Sequence, residues 1–146
     1  MRPSDLVVRN TTYEQFVELG CAPTRAHIAA TLGVERSTVR AAWERLHSEH
    51  AIVLGPDGDL LMANPFSALP TPFRVTADGR EWDANCAWDA IGICAALHCD
   101  GAIDTSCADC GDAIEFEVVD GAPTQPTLLF HCLVPARSWW EDIAFT

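Results

Sequence analysis

The chain of 146 residues contains no lysine, so its positive charge rests on nine arginines, a bias that says more about genome composition than about mechanism. It also lacks an apolar run of about eighteen residues, the length a membrane-crossing helix needs. The start, Met1-Arg2-Pro3-Ser4-Asp5, has neither the charged opening nor the hydrophobic stretch of an export signal. A soluble, cytoplasmic protein is expected. No glycine-rich phosphate loop, nucleophile elbow or serine triad occurs. The histidines His27, His47, His50, His98 and His131 do not pair four apart around an acid, which leaves a zinc hydrolase unsupported.

What is present is a chain of single-domain size with 49% apolar residues, ample for a buried core. The charge is uneven. Residues 1–50 carry six Arg against six acids, and residues 51–146 carry three against fifteen, so the second part holds the whole net charge of -12. An acidic body repels phosphate backbones and argues against nucleic-acid partners. Seven cysteines are an odd set without an export signal, which favours free or metal-bound thiols over a disulfide framework.

Along the chain, Pro23 to Trp43 reads as a helix, a turn at Gly33 and a second helix, with Val39, Trp43 and Leu46 at helical spacing. Ile52-Val53-Leu54 and Leu60-Leu61-Met62, joined by Gly55-Pro56-Asp57-Gly58-Asp59, form a hairpin that completes a winged-helix-like unit over residues 1–63. Arg36, Arg40 and Arg45 would face DNA in such a unit, but Glu35, Glu44 and Glu49 cancel their charge, so a packing scaffold is the favoured reading. Residues 64–72 form a proline-rich connector. An α+β core follows over 73–146, giving an α+β fold in which the helical unit packs on a small mixed or antiparallel sheet with helices.

In that core, Phe73 to Thr76 and Arg80 to Trp82 read as a hairpin about Asp78-Gly79. A helix is expected from about Asn85 to Leu97, capped by Asp83 or Asn85. Ile114, Phe116 and Val118 mark a half-buried strand, and Leu128 to Val134 a central one with His131 as a core histidine. Ser138, with Glu141 three residues on, reads as the cap of a last helix.

The chemistry concentrates in Asn85-Cys86-Ala87-Trp88-Asp89. On a helix, Cys86 and Asp89 lie on one face about one turn apart, a soft nucleophile beside a proton carrier. Thiolate is the side chain that best binds soft metals. The helix N-terminus favours thiolate, and flanking by Trp88 and Ile91 should raise the pKa of Asp89. The plainer alternative is a buried structural cysteine and a solvated helix charge. Most of the tryptophans are expected to pack, with Trp82 and Trp88 also candidates to line the pocket.

The Asn-Cys-Ala-x-Asp core and the stretch Pro135-Ala136-Arg137-Ser138-Trp139-Trp140-Glu141-Asp142 resemble the organomercurial (alkylmercury) lyase family. The resemblance implies that Cys86 captures an organomercury cation and that Asp89 relays the proton replacing mercury on carbon. Both would then ligate mercury. It implies a small organomercurial substrate, Hg(II) as product, no required cofactor, and mercuric reductase as a possible acceptor of the ion. It also implies a second mercury-binding cysteine after Trp139-Trp140, where residues 141–146 hold none. The expectation is that this thiol lies just past Thr146 or is unused, with Cys132, Cys94, Cys99 or an external thiol as stand-ins.

Cys107-Ala108-Asp109-Cys110-Gly111 is half of a zinc knuckle, and either a closed zinc site or a hairpin turn with reduced thiols fits it. Three functional readings therefore stand: a carbon-mercury lyase, a soft-metal-binding relative without turnover, and a winged-helix metal-responsive regulator.

Overall fold

Thr24 ends an extended segment and its hydroxyl accepts from the His27 amide at 3.1 Å, which starts helix α2 (Arg25–Leu32); Gly33, at φ 65°, ends it. Helix α3 (Arg36–Ser48) buries Val39, Ala42, Trp43 and Leu46, the face its spacing indicates. The computed structural model describes residues 3–132, 134–141 and 143. Both helices pack on α1 (Pro3–Leu19), which the sequence analysis does not identify. Trp43 Nε1 donates to Thr12 Oγ1 at 3.0 Å, and Arg45 makes two bonds to the buried Asp5, at 2.6 and 3.0 Å.

The hairpin of β1 (Val53–Leu54) and β2 (Leu60–Ala63) forms as expected, and β3 (Phe66–Ser67) adds a third antiparallel strand. That strand lies inside the proline-rich connector, where the sequence shows no strand pattern. Phe66 stacks on Phe16 with ring centroids 5.2 Å apart and meets Trp82 edge-on at 6.1 Å. Trp82 is itself buried, with Nε1 donating to the Phe16 carbonyl at 3.3 Å. One apolar cluster thus runs from Val8 on α1 to Val118 in the second sheet.

That second sheet is antiparallel, in the order β5-β4-β6-β7-β8. β4 (Arg74–Ala77) and β5 (Arg80–Asp83) turn at Asp78 and Gly79, both with positive φ, and β7 (Ala113–Val119) is half-buried as its alternation predicts. The central strand is β6 (Gly101–Ser106), not the late apolar run, and β8 (Ala122–Pro123) closes the far edge. Helix α4 (Ala87–Leu97) links β5 to β6 and packs on β4 and β6 through Ala90, Ile93 and Cys94.

Three expectations are corrected. Residues 128–132 form no strand, because β8 pairs with the outer side of β7 and no other ladder takes them up; Leu129 is 94% exposed, and His131 and Cys132 are exposed rather than in a core. Leu133 lies outside the described residues. The last helical segment is a 3₁₀ turn, Ala136–Glu141, with Ser138 inside it rather than capping it; Asp142 and residues 144–146 lie outside the described residues. Helix α4 starts after Cys86, which occupies the cap position expected for Asp83 or Asn85. Asp83 is held in β5, and Asn85 turns its amide toward Asp89. Among the described residues no helix is long and apolar enough to cross a membrane.

Candidate active site

Three segments meet at the start of α4. Asn85 Nδ2 donates to Asp89 Oδ2 at 3.1 Å and to the Pro65 carbonyl at 3.3 Å, which ties the carboxyl to the β2–β3 turn of the first sheet. The Asn64-Pro65 bond is cis. Tyr13 of α1 donates to the Asn64 carbonyl at 3.0 Å, so the first helix is fixed to the same turn. Gly92, one turn further along α4, leaves room for Pro65: a Cβ there would sit 3.4 Å from the proline ring.

Cys86 and Asp89 come together as the spacing predicts. Both are half-buried, and the carboxyl lies within hydrogen-bonding reach of the thiol. Burial pushes the Asp89 carboxyl above its ordinary value, while bonds from Asn85 and Cys86 restrain the rise. This agrees with the sequence argument in direction. The source of the burial differs: Trp88 is 65% exposed on the outer side of α4, with Phe130 at 6.4 Å between ring centroids, and Trp82 is sealed in the core. Neither tryptophan encloses the pair.

The thiol behaves otherwise than expected. Burial pushes Cys86 up, and the nearby Asp89 charge adds to that; the Asp89 and Trp88 amides pull down without prevailing. Those amides face the sulfur but make no capping hydrogen bond. Desolvation therefore outweighs the helix terminus, and the resting group is the thiol. Burial disfavours a charge on either member of the pair. One proton can be shared between them, since loss of the thiol proton and its gain by the carboxyl are separated by a single contact.

Sequence reasoning places Asn85 next to the site but gives it the wrong task. Its Oδ1 is buried and has no hydrogen-bond partner, so Asn85 is an asymmetric clamp with an acceptor turned inward. Tyr13 is missed altogether. The available signal is that it is the chain's one tyrosine, on a helix otherwise rich in charge. Burial raises its phenol, Arg9, 4.8 Å over its ring, pulls the other way, and the Asp89 charge adds a smaller upward push.

The other thiols do not join the pair. Cys94 is buried under Gly101, Cys99 is half-buried behind α4, Cys132 donates to the Val134 carbonyl at 3.0 Å, and Cys107 and Cys110 sit on the β6–β7 hairpin. Among the described residues no three Cys, His, Asp or Glu are placed to hold one metal ion.

The chain is a member of the alkylmercury lyase family, whose MerB pattern matches residues 66–146. Among solved structures it is similar to "Crystal structure of the mercury-bound form of MerB2", with a TM-score of 0.64 and 26% identity. That likeness covers 86% of this chain and 60% of the other, so the chain spans less than two thirds of its relative's length. A comparison with curated proteins yields no match.

Proposed function

We propose that the chain cleaves carbon–mercury bonds by protonolysis, with Cys86 as the capturing thiol and Asp89 as the proton carrier. The observation that carries the reading is the contact of the Cys86 thiol with a clamped, partly desolvated Asp89, inside the stretch that matches the family. Capture forms a sulfur–mercury bond, releases the halide or other counter-ligand of the organomercurial, and sends the thiol proton to Asp89. Asp89 then protonates the carbon. The carbon–hydrogen bond forms as the carbon–mercury bond breaks, the hydrocarbon leaves, and Hg(II) stays on the Cys86 sulfur beside the Asp89 carboxylate.

Desolvation suits both steps. It keeps the proton on the pair near neutrality, and a positioned acid of matched pKa contributes about 10²–10⁴ in rate. The scheme draws only on the chain's own groups and needs no further cofactor. A second thiol, external or from a partner such as mercuric reductase, would remove the ion. The N-terminal helices and the β1–β2 hairpin serve here as a winged-helix scaffold: Arg45 is occupied by Asp5 and Arg40 by Glu44, which leaves little free charge for DNA. We place the reaction in the cytoplasm, where thiols stay reduced.

The direct test is incubation with phenylmercuric acetate and measurement of benzene. Wild type should release it and Cys86→Ser should not; equal release by the two would overturn the assignment. A second reading, capture without turnover, draws on the same thiol and its raised proton affinity. It predicts stoichiometric mercury uptake with no benzene, abolished by Cys86→Ala.

A further inference from the structure

Strands β6 and β7 run in register to Ser106 and Ala113, and the connection between them is drawn tight. The Cys107 amide donates to the Asp112 carbonyl at 2.8 Å, and Gly111, at φ 76°, donates back to the Cys107 carbonyl at 2.9 Å. This turn brings two thiols together at the tip. Cys110 is exposed, Cys107 is half-exposed, and the Cys110 thiol is within hydrogen-bonding reach of the Cys107 sulfur. The amides of Cys110 and Asp109 also face that sulfur and favour its thiolate. Asp109 and Asp112 add negative charge that attracts cations.

We propose that Cys107 and Cys110 form a second soft-metal site, separate from Cys86, that holds one Hg(II) ion between two thiolates. The ligand count selects the metal. Zinc in a structural site needs four ligands; the Asp112 side chain lies near Cys110, but among the described residues no group of three or more Cys, His, Asp or Glu is placed to hold a metal ion. Mercury(II) is satisfied by two thiolates in a line, and soft ligands favour soft ions. Binding balances as two sulfur–hydrogen bonds lost, two sulfur–mercury bonds formed, and two protons and two chlorides released from mercuric chloride. The pair is thus a docking point for mercuric ion whether or not the chain also makes that ion from an organomercurial.

The test uses the full chain carrying Cys86→Ala, fully reduced, loaded with less than one equivalent of mercuric chloride and challenged with rising glutathione. Supplying the ion as a salt removes any dependence on carbon–mercury cleavage. Adding Cys110→Ser should lower the glutathione concentration that strips half the mercury by at least about 100-fold, the usual gain from a second tethered ligand. Cys107→Ser should match it, and the exposed Cys110 makes its variant decisive if Cys107→Ser unfolds. A half-stripping concentration unchanged by Cys110→Ser overturns the site. So does zinc retention against a chromophoric chelator that depends on Cys110 as strongly as mercury retention does.

Discussion

Asp89 is only part-buried, yet its surroundings favour the neutral acid, and that has a consequence for stability that can be worked out in sign. Its folded-state pKa lies above the unfolded value, so its favourable contribution is complete below the unfolded carboxyl pKa and is lost as pH rises through the folded one. Asp89→Asn removes the ionisation while keeping an oxygen for the Asn85 amide. The variant should therefore melt above wild type at about pH 7, with the gap closing as pH falls into the carboxyl range. A melting temperature equal to or below wild type at neutral pH contradicts the desolvated carboxyl. Cys86 and Asp89 were legible from residue type and spacing. The role of Asn85 was not, because a side chain next to a helix start can cap the helix or clamp a neighbour, and only the position of the Pro65 carbonyl decides between them.

At the scale of elements, what the sequence shows is what local chemistry controls. Thr24, Gly33 and the Val39–Trp43–Leu46 stripe make α2 and α3 readable. Asp78-Gly79 does the same for the β4–β5 turn. Helix α1 is hidden because its apolar positions do not gather on one face, and packing on α2 and α3 fixes it instead. Strand β6 is hidden for a related reason: in Gly101-Ala102-Ile103-Asp104-Thr105-Ser106 only Ile103 is buried, and neighbours on both sides make it a strand. Residues 128–132 err the other way, an apolar run without a ladder to join. Gly101 permits the close packing of β6 on α4: a Cβ there would lie 2.7 Å from Cys94 Sγ and 3.1 Å from Ala77 Cβ. Gly101→Ala should cost about 1–3 kcal/mol by overpacking, and Thr24→Ala about 1 kcal/mol by loss of a helix cap. Urea unfolding measures both, and a neutral Gly101→Ala would show that α4 is not seated as described.

For the whole molecule, the site lies where the helical unit, the β2–β3 turn with its cis bond and α4 meet, so its geometry depends on contacts far from the chemistry. Trp82 joins the units by donating to the Phe16 carbonyl inside the shared core. Trp82→Phe removes that bond and part of the buried ring system, while the Phe16 carbonyl keeps its bond from the Gly20 amide at 3.1 Å, and the change should cost about 0.5–1.5 kcal/mol in chemical denaturation. A change under a few tenths would mean that the two units are not joined there. The family membership makes mercury chemistry the frame, but the pair itself carries the central claim, that the proton lost by Cys86 reaches carbon through Asp89. The measurement that bears on it most directly is a single turnover of phenylmercury by Asp89→Asn, followed by mass spectrometry of the protein and assay of benzene. The account predicts a phenylmercury adduct on Cys86 with benzene release slowed by at least about 100-fold. Release at the wild-type rate would contradict it.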